Sequence, residues 1–264
     1  MDTFITAQAL SDRLNDDDLL LIQVGDSQFF SHAHIPGAHC LEYAALTDSR
    51  PPVDGLLPDA DHLSQVFSEL GLTSDKHVVA YDAEGCGRSA RLIWTLDAMG
   101  HSKRSMLDGG LTAWSDGGFA TVSGLPSGDS GSYSAKLSGQ VVASQERVLA
   151  ALDDDSVVLL DCRSEAEYRG ERSGASRAGH IPGAVNLDWM KMKDETAALK
   201  DPAELQTLLS SLGVTPDKTV ITYCQSHHRS AFGYCVLKQL GYAKVLGYHG
   251  SWSDWGNDAD LPIE

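Results

Sequence analysis

Several things are missing from this chain, and each absence removes a class of function. No apolar run approaches the ~18 residues that a membrane-spanning helix needs. The first residues, MDTFITAQALSDRLNDDD, have neither a basic start nor an apolar stretch after it, so they do not read as a secretory leader. Positive charge is scarce: 20 Lys and Arg stand against 37 Asp and Glu, a net charge of −17. That balance speaks against nucleic acid and against an anionic membrane surface, since both need basic patches. An anion could still be held, but only in a local pocket. No CxxC pair occurs among Cys40, Cys86, Cys162, Cys224 and Cys235, and the histidines show no ligand spacing. A disulfide framework, a metal site and a bound cofactor are therefore not expected. A monomeric cytoplasmic protein with free thiols is the expectation, and the question becomes which thiol reacts.

What is present is an internal repeat. HIPGA occurs at His34–Ala38 and again at His180–Ala184. VVAYDAEGCGRSARLIWTLDAMG, from Val78 to Gly100, parallels VITYCQSHHRSAFGYCVLKQLGY, from Val220 to Tyr242. Each copy continues through a short strand, a glycine turn and a tryptophan, Trp114 or Trp255. Residues 1–120 and 139–264 are the two expected domains, and the Gly- and Ser-rich stretch 121–138 is the expected linker.

Within each half, short apolar strands alternate with helical patterns. Leu19–Val24, Val78–Tyr81, Ser156–Asp161 and Thr219–Tyr223 are apolar almost throughout, as suits strands buried on both faces of a parallel sheet. Asp59–Gly71 and Asp201–Gly213 each open on an N-cap aspartate and close on a glycine, and so predict helices. The fold class is α/β, a parallel sheet flanked by helices in each half.

The sharpest local feature is Cys224. It ends a strand, Gln225, Ser226, His227 and His228 follow it, and Arg229 opens a helix running to Gly241. That helix shows an apolar face of Phe232, Cys235, Val236 and Leu240. A chain turning back over the sulfur can aim backbone amides at it, beside the positive end of the helix dipole. With Arg229 nearby, such a loop favours a thiolate over a thiol. Cys40, Cys162 and Cys235 lack any such cradle and read as packing residues.

The paired HIPGA segments, the stretch DCRSEAEYRGE (Asp161–Glu171) and the loop CQSHHR together resemble the rhodanese sulfurtransferases, in their two-domain form. The resemblance implies two rhodanese-like domains and a Cys224 persulfide, loaded by thiosulfate or a similar donor and emptied by cyanide or a thiol. It implies an active-site loop of Gln225, Ser226, His227, His228 and Arg229, with Arg163 of the DCR triplet as a substrate contact; a salt bridge from Arg163 to Glu165, Glu167 or another carboxylate is the competing reading. It implies a small-molecule donor and a thiophilic acceptor, with a cysteine desulfurase or a sulfur-accepting protein as the macromolecular partner of a carrier. Asp82 occupies the first half's counterpart of Cys224, so that half is expected to be catalytically silent, with Asp82 paired to Arg88. Gln225 and Ser226 stand where vertebrate relatives carry basic residues, which leaves the donor open.

Two rival readings use the same residues. A persulfide carrier would be loaded by a partner protein instead of a small donor. A cysteine-dependent phosphatase would have five residues between Cys and Arg; this loop has four, a tighter cradle suited to one sulfur.

Overall fold

The computed structural model describes residues 2–124 and 130–264. In the first part of the chain the strands are β1 (Phe4–Ile5), β2 (Leu19–Val24), β3 (His39–Leu41), β4 (Asp48–Arg50), β5 (Val53–Leu56), β6 (His77–Tyr81) and β7 (Arg104–Leu107). The helices there are α1 (Ala7–Ser11), α2 (Ser27–His32), α3 (Ala60–Glu69), α4 (Gly87–Ala98) and α5 (Gly110–Asp116). The second part contributes β8 (Val142–Ala143), β9 (Val157–Asp161), β10 (Val185–Asn186), β11 (Thr219–Tyr223) and β12 (Val245–Tyr248). Its helices are α6 (Gln145–Ala150), α7 (Glu165–Tyr168), α8 (Pro202–Ser211), α9 (Arg229–Gln239) and α10 (Ser251–Trp255).

Two compact units form. The first holds Met1–Thr47, Pro58–Ser138 and Glu195–Ala198; the second holds Asp48–Leu57, Gly139–Asp194 and Leu199–Glu264. Each has a five-stranded sheet, in order β1-β7-β6-β2-β3 and β10-β9-β11-β12-β8. All pairings within these two sheets are parallel. The apolar runs explain this, because β6 is buried along its whole length and β2, β9 and β11 at all but their first residue. A third sheet is the antiparallel hairpin β4–β5. Its residues come from the first half of the sequence, yet they fold into the second unit.

The helix termini follow local chemistry. Asp59 accepts from the His62 amide at the start of α3, and Asp201 from the Ala203 amide at the start of α8, with Pro202 next to it. α9 departs from expectation. Every residue from Ser230 to Leu237 is buried, so the helix is enclosed on all sides rather than along one apolar face.

Residues 125–129 of the expected linker lie outside the described residues. The described part is bonded to the first unit: Gly131 N–H donates to the Ser68 carbonyl at 2.7 Å, Ala135 N–H to Ser64 Oγ at 2.9 Å and Ser138 N–H to the Ala98 carbonyl at 2.7 Å.

The HIPGA segments do the same structural work twice. The Ile35 amide donates to Tyr81 Oη at 3.0 Å, and the Ile181 amide to Tyr223 Oη at 3.3 Å. His34 and His180 each bond a backbone carbonyl through Nδ1, at 2.9 Å, and stack on the ring of Phe30 or Tyr168. This locks the turn against the C-terminal end of the central strand, where the next loop begins.

Candidate active site

Cys224 directly follows β11, and its side chain has no exposed surface. The chain then turns tightly, with His227 in the left-handed region at φ +52°, and enters α9 at Arg229. The turn delivers the amides that the sequence leads one to expect. His228 N–H points at Cys224 Sγ from 3.3 Å, and the Ser226 and Ser230 amides lie where they favour negative charge on the sulfur. The Ser230 hydroxyl favours the sulfur's charge as well. Burial pushes the Cys224 thiol up, but the Arg229 charge and these hydrogen bonds outweigh it and hold it below the ordinary thiol value.

The His227 tautomer is tied to the direction of the Ser230 hydroxyl. Ser230 Oγ lies 2.8 Å from His227 Nδ1. When Ser230 donates its only hydrogen to the thiolate, His227 must donate from Nδ1 to Ser230. His227 is buried, so it supports the cradle from inside. Gln225, Ser226, His228 and Arg229 are half-exposed and form the rim.

Arg229 is aimed by Glu167, a residue the sequence offered only as a partner for Arg163. Its guanidinium grips Glu167 with two bonds, Nη1 to Oε2 at 2.7 Å and Nη2 to Oε1 at 2.8 Å. Glu167 is itself fixed by the start of α7, where Ser164 and Glu167 form a reciprocal capping box. Burial opposes the charge on Glu167, but Arg229 and Ser164 pull its carboxyl down to about 2. The S-x-x-E spacing of Ser164–Glu167 was the available signal.

A second support, not anticipated from the sequence, is the turn opening α10. Ser251, at φ +53°, accepts through Oγ from the Cys224 amide at 3.2 Å and the His227 amide at 3.1 Å. The Trp252 and Ser253 amides donate to the Cys224 and Gln225 carbonyls, each at 2.9 Å. The sulfur loop is therefore bonded along its backbone from beneath.

Arg163 is not at the rim. It is fully buried, with Nε 3.0 Å from both Asp161 oxygens, Nη2 2.6 Å from Asp161 Oδ2, and Nη2 also donating to the Gly179 carbonyl. Its guanidinium lies over the Trp252 ring at 4.5 Å. The expected substrate contact is thus placed as an internal ion pair with Asp161, the competing reading. The reason is packing, since Trp252 and Tyr223 close over the cation.

The other thiols are set differently. Burial raises Cys162 well above the ordinary value, and the charges of Cys224 and Asp161 add to this. Cys40 is pushed up to about 11 by burial, Glu42 and Asp26. In the first unit, Asp82 fills its own loop. Its Oδ1 accepts from the Glu84 amide at 2.9 Å and the Cys86 amide at 2.8 Å, and its Oδ2 from the Ser89 amide at 2.8 Å and the Ser89 hydroxyl at 3.0 Å. Arg88 pairs with Glu84 at 2.9 Å, not with Asp82 as expected. A carboxylate here takes the amides that serve a sulfur in the other unit.

Comparison with known proteins agrees with this geometry. The rhodanese-like domain model matches twice, over residues 6–116 and 144–258. A thiosulfate sulfurtransferase of Pseudomonas aeruginosa is 40% identical over 255 residues, covering 97% of this chain and 94% of the relative. The sulfur carrier protein TtuD of Thermus thermophilus is 33% identical, covering 94% and 88%. The crystal structure of the 3-mercaptopyruvate sulfotransferase SseA from Escherichia coli superposes with a TM-score of 0.87 at 29% identity, over 96% of this chain and 99% of that one. With two matched domains and a thiol held in an amide cradle, the chain belongs to the rhodanese family and is a sulfurtransferase with two rhodanese-like domains.

Proposed function

We propose that the chain moves the outer sulfur of thiosulfate to a thiophilic acceptor, cyanide in an assay, through a persulfide on Cys224. The observation that carries this reading is the Cys224 thiol, favoured as a thiolate by Arg229, Ser230 and inward amides. The thiolate attacks the outer sulfur of the donor. A Cys–S–S⁻ bond forms, the donor's sulfur–sulfur bond breaks, and sulfite leaves with the bonding pair. Cyanide then takes the terminal sulfur as thiocyanate and returns the thiolate. Charge balances in both steps without a redox partner or a cofactor. The persulfide is anionic like the thiolate, so a cradle of fixed donors serves both states.

In this reading Gln225, Ser226, His228 and Arg229 form the rim that meets the donor. His227 braces Ser230, and Arg163 supports the fold through Asp161. Residues 139–264 are the catalytic domain, and residues 1–120 are non-catalytic, with Asp82 at the cysteine position. The free cysteines fit a reducing compartment, so we place the protein in the cytoplasm; because one chain already carries two copies of the domain, we read it as a monomer.

Similarity to the TtuD carrier supports a second reading, in which a partner protein loads Cys224. Intact mass before and after thiosulfate, then cyanide, tests both, with Cys224→Ala alongside. One added sulfur, removed by cyanide and absent from the variant, is the expected result. No sulfur from thiosulfate, but one from a cysteine desulfurase, would favour the carrier. Neither, together with release of phosphate from a phosphoester, would overturn both for a phosphatase.

A further inference from the structure

The hairpin β4–β5 is seated on the turn that holds the sulfur loop. Ser253 Oγ accepts from the Asp54 amide at 3.1 Å and lies 2.9 Å from both the Asp54 and Gly250 carbonyls, to either of which it can donate. The Leu57 amide donates to His249 Nδ1 at 2.8 Å. Asn257 Nδ2 reaches the Pro52 carbonyl at 3.4 Å. Ser253 thus holds the hairpin with its hydroxyl and the Gln225 carbonyl with its amide. The two sets of bonds meet within one residue.

Where the hairpin meets the loop stands Gly55, buried and at φ +79°. A Cβ there would lie 2.3 Å from the Ser226 carbonyl oxygen, 2.7 Å from Ser226 Cβ and 2.9 Å from the Ser226 carbonyl carbon. Two of these three atoms are backbone, so no rotamer change relieves the overlap. The approach is possible only because position 55 has no side chain.

We propose that Gly55 is a positioning residue for sulfur transfer: the hairpin backbone at Gly55 is the outer wall that sets the Ser226–His227 peptide, and with it the amide cradle around Cys224. Arginine and serines hold the loop from below and inside. Gly55 limits it from outside. The peptide it touches carries the His227 amide bonded to Ser251, and its displacement carries the Ser226 amide away from the sulfur. A shift of a few tenths of an ångström suffices, because hydrogen bonds weaken steeply with misalignment. The proposal rests on Cys224 as the sulfur acceptor. A hairpin that only adds stability would leave the sulfur's ionisation untouched.

The test compares two glycines with similar backbone strain. Gly213, at the end of α8, has φ +73° and nothing within 4 Å of an added Cβ. Gly55→Ala and Gly213→Ala therefore share the conformational cost but differ in the contact. The readout is the thiolate absorbance of Cys224 against pH, taken as the difference from the matching Cys224→Ser protein, together with the rate of sulfur loading. Gly55→Ala is expected to raise the thiolate midpoint and slow loading by about tenfold to a hundredfold, while Gly213→Ala keeps the wild-type values. Ser253→Ala, which releases the hairpin without strain, is expected to move both in the same direction by less. A folded Gly55→Ala that titrates and loads like Gly213→Ala overturns the proposal. If Gly55→Ala does not fold, Ser253→Ala decides, and wild-type values in it overturn the proposal. If the wild type takes no sulfur from thiosulfate, the donor reading fails, and the thiolate titration still judges Gly55.

Discussion

Arg229 and Glu167 are locked fork to fork, with paired bonds of 2.7 and 2.8 Å, and this pair fixes the cation beside Cys224. Lysine keeps the charge but cannot make the two-pronged bond. Arg229→Lys is expected to raise the Cys224 thiolate midpoint and to cut the loading rate about tenfold, in line with a loosened charge-assisted bond. Stopped-flow loading with thiosulfate checks it. A wild-type rate would show that charge alone suffices.

The thiolate itself should mark the pH profile of stability. Arg229 and the Ser230 hydroxyl and amide face the sulfur from α9, and the Ser226 amide faces it from the loop. Cys162, at the end of β9, is the neighbouring titratable group, and Glu167 and Asp161 act on Arg229. Since the folded thiol lies below its ordinary value, its stabilising contribution is fully present above the unfolded value of about 8.5. It fades as pH falls through the folded midpoint. The melting temperature of the wild type should therefore gain on Cys224→Ser as pH rises from ~6 to ~9. Thermal scans across that range test the sign, and a gap that shrinks would contradict the cradle.

Arg163 gives a way to separate support from substrate contact. Arg163→Met strands Asp161 as a buried uncompensated charge, which typically costs about 3–5 kcal/mol. Urea unfolding should show a loss of this order, while the folded fraction keeps its KM for thiosulfate. A raised KM with unchanged stability would return Arg163 to the donor site.

Asp82 is expected to matter for folding alone. Asp82→Ala leaves the Glu84, Cys86 and Ser89 amides without their acceptor. Each buried unsatisfied donor costs about 1–3 kcal/mol, so a loss of at least ~2 kcal/mol is expected even with some relaxation. Hydrogen exchange should speed up at Cys86 and Ser89, with sulfur loading at Cys224 retained. Unchanged exchange would mean that other acceptors replace the carboxylate.

Much of this molecule could be read along the chain. Apolar runs marked the central strands, aspartates and glycines marked the helix ends, and the repeat announced two sheets, because each of these signals is local. The strand–Cys224–turn–Arg229 order also foretold the amide cradle, since a chain that reverses over a side chain points its amides inward. The partners of the charged residues were less accessible. Glu167 lies in a different element from Arg229, and Arg163 could have faced solvent or, as found, been sealed beneath Trp252. Pairing between distant charges depends on which surfaces pack, and no periodicity records that.

Residue order alone pointed to a parallel sheet in each half, to Cys224 as the thiol expected to react, and to Asp82 standing at its place in the first half. Folding in three dimensions settled how the thiol is held: Ser251 and Ser253 from α10 beneath the loop, Glu167 behind Arg229, and Gly55 from a hairpin far earlier in the chain. The physical reason is range. Backbone turns and helix caps act over a few residues, whereas a close backbone approach such as Gly55 against Ser226 exists only once separate segments have been packed together.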